Sequence, residues 1–344
     1  MTGSDDAMTD TLTSAFRRHA GQAPPVDGLP EKVVVLARRR RRLRVTVAVA
    51  AIVVAAASIP VAFVASVRDT VPTATRPHPA WRWESYRGIE VQVPPDWGYG
   101  VPGRSWCAGT ERGAPRPGAV GRPGPVQDVR CMPDYPPVDQ RENWLVFGGN
   151  EAGVHRYDAG WVEETRRLHG GSVTVFTDDA ALRRAILGSV RPIVGTDEHG
   201  CPVDHGVVGD QAGYRPTDGG LPRPETVESV SVCRYTLTSG SAFPLLSSGR
   251  LTGEAAGRVV AAIRSAPESD VTVAGDGAEI AVLRLHTDDD RTREVVVRYS
   301  DSTGNGFDDG TTRRELTADA IRPLLTGPNS PSQLSGAVAK LLGG

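Results

Sequence analysis

Along "GIEVQVPPDW" the apolar residues Ile89, Val91 and Val93 alternate with Glu90 and Gln92 until Pro94 and Pro95, the rhythm of a half-buried strand. Period-two alternation or a short apolar run predicts further strands in "NWLVFGG", "SVTVFT" and "TVESVSVCRYTL". "AEIAVLRLHTDDDRTREVVVRY" predicts a hairpin whose polar turn is 288–291, and "TTRREL" an edge-like strand after the turn "DSTGNGFDDG". Helical spacing marks "DDAALRRAILGSV", where Ala181, Leu182, Ala185 and Ile186 share a face and Thr177 or Asp178 can cap it. "DAGWVEETRRLHGG" reads as a short helix stopped by Gly170, and Leu251, Ala255, Val259 and Ile263 step by four along another. Thr317 caps a short helix, and Ser330, Pro331 and Gln333 make a capping box for a final one with Leu334, Val338 and Leu341 on its face and Gly343 at its end.

The longest apolar run is different in kind. Between Arg44 and Arg68 stand 23 uncharged residues, mostly Ala and Val. A bilayer core needs about 20 apolar residues in a helix, so 45–67 predicts a membrane span. A buried core helix would carry a polar face, and a cleaved export signal has a shorter apolar region nearer the N-terminus.

Charge then sets an orientation. The first 44 residues hold 9 basic against 5 acidic residues, with Arg38, Arg39, Arg40, Arg41, Arg42 and Arg44 set directly against the run. Arginine-rich flanks stay on the cytoplasmic side, which predicts a cytoplasmic tail over 1–44 and everything after the span outside. The arginines read as topology determinants in contact with the lipid bilayer rather than as a nucleic-acid patch. The remaining 30 basic and 36 acidic residues argue against nucleic acid as a partner of the outer part. In the tail, Leu12, Ala15, Phe16 and His19 suggest one small amphipathic helix.

The expected architecture is therefore α+β: one N-terminal transmembrane helix followed by two small disulfide-stapled sheet-and-helix units. A Pro-rich linker covers 68–80, the first unit 81–195 and the second 196–344. The residues "TDTLTSAFRRHAGQAPP", the Arg-ended tail, the single span and a strand like "VSVCRYTL" resemble a broad group of uncharacterised actinobacterial single-pass membrane proteins. That resemblance implies a cell-envelope location and no particular activity. The order from "GIEVQVPPDW" to "ILGSVRP" looks like the small modules of the PsbP and Mog1 type over 81–194, which implies an interaction role.

Candidate chemistry is sparse. There is no nucleophile elbow, zinc-protease helix, phosphate loop or dinucleotide fingerprint, so no catalytic residue, metal site or cofactor is expected. Four cysteines allow three pairings; the expected one is Cys107 with Cys131 and Cys201 with Cys233, each enclosing a Gly- and Pro-rich loop within one unit. His199, Cys201, His205 and Cys233 could alternatively gather on a metal, which would need reduced thiolates. Asp301, Thr303, Asn305 and Gly306 begin like a calcium loop, but Thr312 stands where a bidentate Glu is required. Trp81, Trp83, Trp97, Trp106 and Tyr99 surround the first strand as core residues or as the lining of a carbohydrate or peptide groove. The function expected is a non-catalytic binding, sensing or assembly protein with a cell-wall or protein partner. The alternatives are an enzyme with a dispersed site, for instance Glu163 or Glu164 with His169, and regulation of a cytoplasmic transcription factor through the tail.

Overall fold

The computed structural model describes residues 78–100, 117–123, 137–148, 151–168, 171–238, 240–331 and 334–343. They belong to one compact unit, Asp69–Gly344; the other, Met1–Arg68, lies outside the described residues.

Three sheets organise the unit. Strands β1 (Arg82–Tyr86), β2 (Ile89–Val93) and β9 (Arg191–Pro192) form a small antiparallel sheet in the order β1-β2-β9. A mixed sheet runs β3-β4-β5-β8-β7-β6, from β3 (Gly98–Tyr99), β4 (Ala119–Gly121) and β5 (Trp144–Phe147) to β8 (Gly171–Thr177), β7 (Val162–Leu168) and β6 (Gly153–Arg156). Its strands β3, β4 and β5 are parallel and the rest antiparallel. Ile89, Val91 and Val93 pack with Leu145, Phe147, Val173 and Val175 beneath helix α1 (Ala180–Ser189), which adds Ile186 and Leu187.

The third sheet is antiparallel, β11-β10-β12-β13-β14-β15. It joins β10 (Val227–Thr236), β11 (Leu245–Thr252), β12 (Glu279–Thr287), β13 (Thr292–Arg298), β14 (Gly306–Asp308) and β15 (Arg313–Arg314). One face, with Val230, Val232, Leu283, Leu285, Val295 and Val297, packs on helix α3 (Gly253–Ser265), whose Ala256, Val259, Val260 and Ile263 form the buried stripe of a helix. The short helices α4 (Ala318–Ile321) and α5 (Gly336–Leu342) complete that layer with Ile321 and Val338. The other face, with Cys233, Tyr235, Val282 and Val296, is strapped by a segment that carries Cys201 and the one-turn helix α2 (Gly206–Gly209).

The expected architecture is corrected at two points. Among the described residues no helix is long and apolar enough to cross a membrane; α3, the longest, has 13 residues and one polar side, against about 20 apolar residues for a span. Single-pass placement in a cell membrane, with the N-terminus cytoplasmic, is overturned by the same finding. The span expected at 45–67 and Arg38 to Arg44 lie outside the described residues. Nor do two small sheet-and-helix units describe the chain after residue 81, where among the described residues one mixed and two antiparallel sheets dominate and helices are few. The Arg87 amide donates to the Leu245 carbonyl at 2.7 Å, and Leu246 shares a core with Ile89 and Val91, so the first small sheet leans on β11.

Three local expectations change as well. "VEETRRL" is strand β7, held by pairing from Val162 to Leu168 along β8, although its Glu and Arg residues favour helix. The cap of α1 is Asp179, whose carboxylate accepts from the Ala181 and Leu182 amides. Ser335, not Ser330, caps α5, while Gly343 ends it at φ 89°.

Candidate functional site

The polar side chains of the strapped face lie in two cross-strand rows. Register sets Arg250 beside Ser231, Ser231 beside Arg284, and Arg284 beside Glu294; the next row is Thr252, Ser229, His286 and Thr292. Strand pleating brings such directly opposed residues to one face.

The strap covers the first row. Cys201 and Cys233 form a disulfide, with both residues fully buried. Asp197 tightens the turn before it, accepting from the Cys201 amide at 2.8 Å and the His199 amide at 3.0 Å, and its other oxygen accepts from the Ser248 hydroxyl. The turn aims two carbonyls at the sheet. His199 O accepts from the Ser231 hydroxyl and from Arg250 Nη2, and Gly200 O accepts from Arg284 Nη1.

Ser231 also lies 3.2 Å from His286 Nε2, and His286 Nδ1 lies 3.1 Å from the Thr292 hydroxyl. The serine proton is committed to the His199 carbonyl, so Nε2–H donates to Ser231 and Nδ1 accepts from Thr292. That is the reverse of the arrangement in which a histidine takes a proton from a nucleophilic serine. Burial, then the Arg250 and Arg284 guanidinium groups, push the His286 imidazole below its ordinary value. Glu294 closes the other end, accepting from the Tyr214 hydroxyl at 3.0 Å and standing 3.3 Å from His205 Nε2. Burial alone would raise the Glu294 carboxyl, but His205, Tyr214 and Arg284 together hold it below the usual range. Tyr214 is pushed up to about 12 by burial and by Glu294.

Beside this face the sheet is open. Strand β14 pairs only with Val296, Val297 and Arg298 of β13, so among the described residues 292–295 lack a neighbour strand on that side. A groove of about 610 Å³ lies there, lined by Asp218, Gly219, Arg291, Thr292 and Arg293. A second, of about 320 Å³, shares Arg293 and continues to Arg223, Thr226 and Asp288. The far wall is fixed by the Gly220 amide donating to the Asp309 carbonyl and by Gly310, whose φ of 85° and contact with the Pro216 carbonyl leave no space for a side chain.

The other residues singled out by sequence are engaged elsewhere. With Cys201 and Cys233 bonded together, their sulfurs are not metal ligands; His199 Nε2 lies 3.2 Å from the Trp83 carbonyl, and no His, Cys, Asp and Glu group arranged for a metal occurs among the described residues. Cys107 and Cys131 lie outside the described residues, as do Trp106 and His169. Asp301 accepts from the Gly277 amide and Asn305 closes its turn onto Asp301, so the calcium-like stretch is a self-bonded turn. Trp97 is core, Trp83 lies under Arg191 at 4.0 Å, and Tyr99 donates to Glu84. Glu164 pairs with Arg183, and Glu163 accepts from Tyr157.

Sequence reasoning missed Ser231, His286, Thr292, Glu294 and the groove. Alternation along β10, β12 and β13 carried the signal, but which residues oppose one another depends on register, fixed only by the fold. No family model matches the chain, and neither does any curated protein or solved structure.

Proposed function

We propose that the described unit is a non-catalytic binding module that works in an oxidising compartment. The observation that carries this reading is Ser231: it is fully buried and its proton is spent on the His199 carbonyl, so the Ser231–His286–Thr292 chain braces the sheet instead of activating a nucleophile. The buried disulfide supports an oxidising environment, because thiol pools keep such pairs reduced in the cytosol. The concavity at the open sheet edge is polar and shallow, as suits recognition of a partner rather than enclosure of a small substrate. Chromogenic ester, amide, glycoside and phosphoester substrates are expected to turn over no faster with the full chain than in buffer. Turnover that disappears in Ser231→Ala or His286→Ala would overturn the reading.

A further inference from the structure

We propose that the open edge of β13 binds an extended peptide segment of the partner by strand addition, with acidic side chains at alternate positions of that segment. The inference rests on the non-catalytic reading and names what the groove takes.

The hairpin turn sets the geometry. The Thr287 amide donates to the Arg291 carbonyl at 3.0 Å and the Asp290 amide to the Thr287 carbonyl at 3.0 Å, with Asp290 at φ 59°. This is a three-residue hairpin loop ending in a left-handed residue, and it makes 287 and 291 a hydrogen-bonded pair. Along an antiparallel ladder such pairs alternate with pairs whose backbone groups point away from each other. The N–H and C=O of Thr292 and Glu294 therefore point outward, away from β12. The next two outward residues, Val296 and Arg298, face Asp308 and Gly306 of β14. Opposite Thr292 there is instead the groove, and among the described residues its amide and carbonyl have no backbone partner. An unpaired N–H and C=O beside a cleft is the template on which extended peptides dock.

The side chains choose the peptide. Arg291 and Arg293 are two positions apart, so they flank one side of an added strand at the two-residue spacing of its own side chains. Arg293 donates to the Gly219 and Gly220 carbonyls, and no carboxylate pairs with it among the described residues. Arg291 is 70% exposed and reaches Asp289 only at 3.4 Å, an ion pair that water screens. Carboxylates spaced by two residues match this pair. Asp218 on the facing wall disfavours acidic residues at the intervening positions, so alternating acidic and small neutral residues fit and a continuous acidic run does not.

The test uses the full chain and a fluorescent peptide of alternating threonine and glutamate, followed by anisotropy. Saturable binding is expected. Methylating the peptide's backbone amides, which leaves the protein untouched, is expected to weaken it about tenfold, the worth of one or two hydrogen bonds. Thr292→Pro removes the Thr292 N–H together with the hydroxyl bonded to His286 and is expected to weaken binding to a similar extent, whereas Thr292→Val, which loses the hydroxyl and keeps the N–H, is expected to bind like wild type. Arg291→Glu is expected to weaken it as well. Absence of saturable binding up to millimolar peptide overturns the proposal. Equal binding of the methylated peptide also overturns it, because attraction would then be to charge alone. Cleavage of the peptide would instead sink the non-catalytic reading and leave the docking geometry standing.

Discussion

Replacing Cys201 and Cys233 together by alanine removes the bond that holds the strap on the sheet. Its two ends are 32 residues apart in sequence, and closing a segment of that length stabilises the fold by about 4 kcal/mol in the chain-entropy account. For a unit of this size about 2–4 °C of melting temperature accompanies each kcal/mol, so a fall of about 8–15 °C is expected. Circular dichroism of the full chain, without reductant, measures it. The double substitution isolates this bond from Cys107 and Cys131, which a reductant would also reach. A second readout is local. The strap holds the His199 and Gly200 carbonyls over Arg250, Ser231 and Arg284 and buries the face around His286, so its loss should let the His286 imidazole titrate closer to its ordinary 6.5 in an NMR titration. A double-alanine protein that melts within about 2 °C of wild type would refute the assignment of the strap's stability to this bond.

Glu84 is 1% exposed and bonded to Arg122 and Arg82, each at 2.7 Å, so Glu84→Gln leaves buried Arg122 without its carboxylate and is expected to cost about 3 kcal/mol in urea unfolding. Burial would raise the Glu84 carboxyl, but Arg122 and then Arg82 hold it below its ordinary 4.5; its contribution is therefore present above pH 4.5 and lost as the pH falls through the folded value, which acid titration of wild type against Glu84→Gln reads directly. His286 shifts in the same direction but because its neutral form is the one favoured: its folded value lies below 6.5, so the unfolded chain binds the proton first and wild type should lose stability as the pH falls from 6.5, with a slope of at most about 1.4 kcal/mol per pH unit. His286→Gln should flatten that slope, and an unchanged slope would show that another group is responsible.

The hairpin of β12 and β13 was legible because long apolar runs flank a cluster of three aspartates, and β10 because Val230, Val232, Cys233 and Tyr235 crowd a stretch without Pro or Gly. The strand β7 was not: Glu163, Glu164, Arg166 and Arg167 are good helix formers, and only pairing with β8, from Val162 opposite Thr177 to Leu168 opposite Gly171, makes them a strand. Leu251, read as the first residue of a helical face, belongs to β11, and the helix begins at Gly253. The split into two units failed for a related reason. The contact of β1 with β11 joins residues about 160 positions apart, and nothing local in "WESYRG" announces it. At the candidate site the cysteines stood out as residue types, whereas the groove exists because β14 stops pairing after three residues, a matter of where strands end.

The pairing of β2 with β9 has a consequence in time. Glu90 reaches Arg191 across 101 residues, and the Gln92 amide reaches Ser189 across 97. At about 5–20 residues per second of synthesis, the β2 edge waits roughly 5–20 s for the strand that covers it. During that interval the chain presents the alternating "IEVQV" edge without its neighbour, and such an edge invites pairing with other chains. Emergence of the segment around Arg191, rather than completion of any helix, sets the earliest moment at which the first sheet can close.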